Sequence, residues 1–148
     1  MRARTSALEV ILANGNRDDR SSLEGVLAGT PWVVVEADPP EIEHVVREAA
    51  VPIVICDRDR SDCWRTMIRA LIKARRDVCV IVLTNDADAQ LSGEVVRCGG
   101  FDLLTRPFDR RQVLPMLVFA YTFCRGHGPF LRARRKSLSR EFSLAGNA

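Results

Sequence analysis

Three residues of different chemistry close three apolar runs of this chain: Asp57 at the end of PIVICD (52–57), Thr84 at the end of VIVLT (80–84), and Arg106 just after FDLLT (101–105). A carboxylate, a hydroxyl and a guanidinium brought together could hold a hard cation or an anionic group. A guanidinium could instead clamp the carboxylate directly, since its planar fork matches two carboxylate oxygens. The chain's other reactive groups suggest less. His44 and His127 have no patterned serine or cysteine near them, so a hidden nucleophilic triad is not expected.

Residues so far apart in sequence meet only if the fold brings strand ends together. Five short apolar, β-branched runs read as strands: Leu8–Ala13, Trp32–Glu36, Pro52–Cys56, Val78–Leu83 and Phe101–Thr105. A helix-like stretch follows each of them, at about Asp18 to Leu27, after Pro39-Pro40, Asp62 to Arg75, Ala87 to Cys98, and from an Asp109 cap to about Phe123 with Pro115 as a kink point. Lys73, Arg75 and Arg76 suit the last turn of the third helix. Five strand-then-helix repeats without hairpin signals imply a doubly wound α/β domain built on a parallel sheet. In such sheets ligands bind beyond the carboxyl ends of the strands, which collects Asn14-Gly15, Asp57, Thr84-Asn85 and Arg106-Pro107 at one shallow site.

Composition fits one soluble domain with an extension. The 148 residues are 47% hydrophobic and 28% charged, enough apolar content to bury a core without disulfides or metal. Five cysteines at 56, 63, 79, 98 and 124 lack the close pairs of zinc and dithiol sites, and read as reduced packing residues of a cytoplasmic protein. No apolar stretch nears the roughly 20 residues that span a bilayer, and no export signal is read. The net charge of +3 is uneven: residues 125–148 carry six Lys/Arg against one acid, whereas residues 1–124 carry sixteen against eighteen. The expected organisation is an N-terminal extension 1–7, a domain 8–125 and a basic tail 126–148.

The stretches VICD (54–57), VIVLTND (80–86) and GGFDLLTRPF (99–108) resemble those of response-regulator receiver domains of two-component signalling, over about residues 8–124. The resemblance implies a flavodoxin-like five-stranded parallel sheet in the order 2-1-3-4-5 with five helices. It makes Asp57 the candidate phosphoacceptor for a histidine kinase, Thr84 the hydroxyl that closes on the phosphoryl group, and Arg106 the stand-in for the family's lysine.

Departures from the pattern shape the functional expectation. Receivers end their first strand with two acids that hold Mg²⁺, and here LANGN (12–16) puts Asn14 and Gly15 there. Magnesium wants hard, largely anionic oxygen ligands in near-octahedral array, so the metal site should be weak. Asp18 and Asp19 lie farther on and read as helix-capping and dipole residues. Leu103 stands where receivers usually carry a switch aromatic, and the loop RDRSDCW (58–64) is heavily charged.

The expected function is therefore a divergent, pseudo-receiver domain that acts by binding a partner, with little or no Mg²⁺-dependent phosphorylation, no cofactor, and no enzyme activity beyond self-phosphorylation. Expected partners are a histidine kinase or other signalling protein, and a second copy through the surface of the fourth helix, fifth strand and fifth helix. That fifth helix, with LPMLVFAYTF (114–123), is apolar almost all round and should be covered. The alternative is a working phosphoacceptor whose residual metal site uses Asp57, Asn14 and the backbone carbonyl of Asp59. A third expectation is a nucleic-acid accessory role through the basic tail, although no DNA-reading helix-turn-helix follows the domain.

Overall fold

In the computed structural model the described residues are 8–13, 15–59 and 63–124. Five strands, β1 (Leu8–Ala13), β2 (Trp32–Ala37), β3 (Ile53–Asp57), β4 (Cys79–Thr84) and β5 (Asp102–Thr105), form one parallel sheet in the order β2-β1-β3-β4-β5. Between them run α1 (Arg17–Val26), α2 (Pro39–Glu48), α3 (Trp64–Ala74) and α4 (Ala89–Arg97). A fifth helix, α5, follows β5 and is helical from 110 to 124, passing through Pro115 without a break. The expected extension 1–7 and tail 126–148 lie outside the described residues.

The period-two alternation of the strands decides which helix covers which face. On β4, Cys79, Ile81 and Leu83 point to the face covered by α1 and α5, against Leu23, Val113 and Leu117, while Val80 and Val82 point to the face of α2, α3 and α4. All six β4 residues are buried, as a central parallel strand requires. Truncating a fully buried side chain in this layer, as in Ile81→Ala, would cost about 2–5 kcal/mol.

Caps set where the helices begin. The side chain of Asn16 accepts the backbone N–H of Asp19 at 2.7 Å, fixing the start of α1 just beyond β1. Asp38 and Glu41 form a reciprocal capping box ahead of α2, with Pro39 in the first position. After α4 the chain turns at Gly99, whose φ of +96° suits glycine, and a Cβ there would meet Ile72 Cδ1 at 2.6 Å. Arg75 differs from the expectation that it serves the end of its own helix. Its guanidinium reaches across to donate to the carbonyls of Val46 (3.1 Å) and Ala49, closing the exposed C-terminal end of α2.

Candidate functional site

The carboxyl ends of β1, β3, β4 and β5 surround a small crevice, as the parallel topology requires. Asp57 is the last residue of β3, and its side chain is 2% exposed. One carboxylate oxygen, Oδ1, accepts the backbone N–H of Asp59 at 2.8 Å. The other, Oδ2, accepts from Nη2 of Arg106. Arg106 is positioned from the β5 side, where its own N–H bonds the carbonyl of Thr84 at 3.0 Å and a cis peptide leads to Pro107.

A third residue completes the cluster. Arg106 donates from Nε and Nη2 to the two oxygens of Asp19, each at 2.8 Å, in a fork-to-fork pair. Asp19 stands in the first turn of α1, as expected, yet its side chain is only 6% exposed and turned into the crevice. The helix-start position expected of Asp19 holds, and the structure adds a second role, pairing with Arg106, that the sequence reading did not include. The missed signal lies in helix phase: Asp19, Leu23 and Leu27 recur at four-residue spacing on the buried stripe of α1, so an acid on that stripe needs a cation. Nη1 of Arg106 also donates to Asn85 Oδ1 at 3.3 Å and lies 3.6 Å from Asp59 Oδ2.

Thr84 and Asp59 form the outer half of the site. The Thr84 hydroxyl, fully buried at the end of β4, donates to Asp59 Oδ1 at 2.9 Å and accepts the N–H of Asp86 at 3.1 Å. Asp59 Oδ2 accepts the N–H of Asn85 at 2.6 Å, and Arg58 approaches Oδ1 at 3.1 Å. The hydroxyl thus engages the side chain of Asp59, whereas the sequence pattern points only to that residue's backbone carbonyl. Burial pushes the Asp59 carboxyl up, but the Asn85 N–H, the Thr84 hydroxyl and Arg58 outweigh it and leave the group below the ordinary carboxylate range.

The guanidinium is held firmly in its charged form. The hydrogen bonds that Arg106 donates to Asp19 raise its pKa, burial opposes them, and Asp57 adds to the rise. Removing one member of such a buried group leaves uncompensated charge and costs about 3–5 kcal/mol. Among the described residues no buried side-chain N or O atom lacks a hydrogen-bond partner. Cys56, beside Asp57 on β3, is buried, and burial with the neighbouring Asp57 charge pushes its thiol up to about 12.

The fit of Mg²⁺ can be judged from these donors. Oxygens of Asp57 and Asp19 are bonded by one guanidinium, and both oxygens of Asp59 accept hydrogen bonds of their own. Among the described residues no group of three or more His, Cys, Asp or Glu is arranged to hold a metal ion. The arrangement does not fit the octahedral oxygen shell of Mg²⁺. Asn14, one member of the metal set expected from sequence, lies outside the described residues. Leu103 is partly buried and packs toward the α2, α3 and α4 side, as an apolar rather than an aromatic member of β5.

No protein-family model and no curated protein matches the sequence. Solved structures do. A response regulator from Thermotoga maritima superposes with a TM-score of 0.70 at 20% identity, covering 78% of this chain and 98% of that one. The beryllofluoride-activated NtrC4 receiver domain dimer gives 0.65 at 20% identity over 78% of this chain and 98% of that one. Full-length FixJ from B. japonicum gives 0.70 at 16% identity, covering 82% of this chain and 61% of that one. Among the described residues no helix is long and apolar enough to cross a membrane. Sheet order, helix placement and these superpositions together show that the chain has the fold of response-regulator receiver domains, with a guanidinium seated among the acids at the carboxyl end of its sheet.

Proposed function

We propose that the domain is a cytoplasmic two-component signalling module that works by binding another protein, and that Asp57 does not take part in Mg²⁺-dependent phosphoryl transfer. One observation carries this reading: the Arg106 guanidinium joins Asp57 to Asp19. Phosphoryl transfer to a carboxylate gathers negative charge on the transferred oxygens, which a divalent ion normally offsets. Here a fixed side-chain cation occupies the acids that would recruit such an ion, and it covers the carboxylate oxygen that would attack. The Thr84 hydroxyl, committed to Asp59, is drawn away from the same task.

Contact with a partner is assigned to the surface of α4, β5 and α5. Val96 on α4 and Val118 and Phe119 on α5 are exposed, Phe119 by 60%. Phe101, Phe119 and Phe123 stack with ring centroids 5.7–6.1 Å apart. Exposed apolar clusters of this kind favour association, and the NtrC4 receiver domain was solved as a dimer. A second copy or a histidine kinase is the partner class this surface suits. The basic tail adds nothing to this reading, because residues 126–148 lie outside the described residues.

Incubation with acetyl phosphate and Mg²⁺, followed by intact mass measurement, tests the phosphorylation half. The expected result is an unmodified chain. A stoichiometric phosphoryl adduct that disappears in Asp57→Ala would instead establish Asp57 as a working phosphoacceptor and overturn this half of the reading.

A further inference from the structure

At the other end of β4 from Thr84, two cysteines 45 residues apart in sequence lie side by side. Cys79 opens β4 and Cys124 ends the described part of α5, and their sulfurs are 2.6 Å apart in the core. Cys79 is fully buried and Cys124 is 6% exposed. The Cys79 sulfur also lies 3.8 Å from the Ala120 carbonyl, one turn back on α5. Cys124 falls on the same inward stripe as Val113, Leu117 and Ala120, and Cys79 is the strand position that this stripe meets.

We propose that Cys79 and Cys124 are a modification site, closing a reversible disulfide that ties the C-terminal end of α5 to the sheet. The sulfurs already stand well inside nonbonded contact and need only a small approach to reach the roughly 2.05 Å of a disulfide bond. Cys124, the more accessible of the two, is the entry point for the oxidant, a hydroperoxide. Its thiolate attacks one peroxide oxygen, forming a sulfenic acid and releasing the alcohol, or water from hydrogen peroxide. The Cys79 sulfur then attacks the Cys124 sulfur, forming the S–S bond and expelling hydroxide, which leaves as water with the Cys79 proton. Two thiols lose two electrons and the peroxide gains them. Thiol reductants reverse the step by exchange.

The bridge would hold the last described turn of α5 to the sheet, beside the Phe119 and Phe123 cluster of the proposed contact surface. Oxidation would thus stiffen that surface, and reduction would release it. The site is independent of the phosphorylation reading, since it lies at the opposite end of β4 from the Asp57 crevice.

The test treats the full chain with hydrogen peroxide or with dithiothreitol, denatures it, alkylates the thiols, and maps the peptides by mass spectrometry. The reduced chain should take five alkyl groups, one per cysteine. The peroxide-treated chain should take three and yield a peptide cross-linked through Cys79 and Cys124, lost again on reduction. Cys63→Ser should keep the cross-link, because Cys63 is exposed and remote from the pair, whereas Cys124→Ser should lose it. Peroxide treatment that leaves all five thiols alkylatable, or that yields no Cys79–Cys124 peptide, overturns the proposal on the wild-type chain alone, whatever the folding of the variants.

Discussion

The crevice at Asp57 and the surface of α5 are built on opposite principles. In the crevice, Asp19, Asp57 and Asp59 meet Arg106, Thr84 and the N–H groups of Asp59 and Asn85, so the polar groups are answered from within the domain. On α5 the inward residues Val113, Leu117 and Ala120 are buried, yet Val118 and Phe119 face outward with half or more of their area exposed. A site whose groups already satisfy one another offers little to a ligand, while an apolar surface gains by being covered. The difference is what the proposed function rests on: recognition on the helix surface, and an internal structural role for the polar groups at the strand ends.

The largest expected effect breaks the crevice. Arg106→Ala strips the cation from two buried carboxylates and should lower the unfolding free energy by about 3–5 kcal/mol in urea titration. Adding Asp19→Asn and Asp57→Asn to that variant should recover part of the loss, because neutral amides tolerate burial better than unpaired charges. A change within about 0.5 kcal/mol for Arg106→Ala, the range of ordinary surface substitutions, would mean that the three residues do not form a closed group.

The other region is tested next. Phe119→Asp should weaken self-association or partner binding about tenfold or more, as removal of a central aromatic anchor does, while leaving monomer stability within about 1 kcal/mol. Sedimentation velocity over a range of concentrations reads the first and urea titration the second. Equal association of the variant and the wild type would remove α5 from the contact surface.

Smaller effects follow from titration. The Cys56 thiol is raised to about 12, so its folded state stays protonated where the unfolded chain ionises. The resulting stability is complete below the unfolded value of about 8.5 and is lost as pH rises from there toward the folded one. Cys56→Ala should flatten that alkaline decline relative to its own neutral-pH stability. Asp59 has the reverse sign: its folded pKa is lowered, so its contribution is present above the unfolded value of about 3.9 and fades as pH falls through the folded one. Asp59→Asn should shallow the acid limb slightly, since the side chain is partly exposed and screened.

Much of this organisation was legible in the sequence because it rests on short-range patterns. The strands read as Leu8–Ala13, Pro52–Cys56 and Val78–Leu83 fall within a residue of β1, β3 and β4 at each end, and parallel topology brought Arg106 to Asp57. Asp19 escaped because helix-start preference and burial make competing demands on an aspartate, and only the phase set by the Asn16 cap decides between them. The pairing of Cys79 with Cys124 escaped for another reason: it depends on the rotation of α5 over β4, a tertiary quantity that cysteine spacing does not encode. Likewise, Arg75 suits its nearest helix end by position, whereas its length lets it serve a neighbouring one.

The most direct test follows the Nε–H resonance of Arg106 by NMR while Mg²⁺ is titrated to millimolar levels. A guanidinium bound to Asp19 and Asp57 should give a sharp, exchange-protected Nε–H signal that does not move with the metal. A saturable shift or loss of that signal, matched by perturbation of Asp57, would show that Mg²⁺ displaces the arginine and would refute the closed crevice.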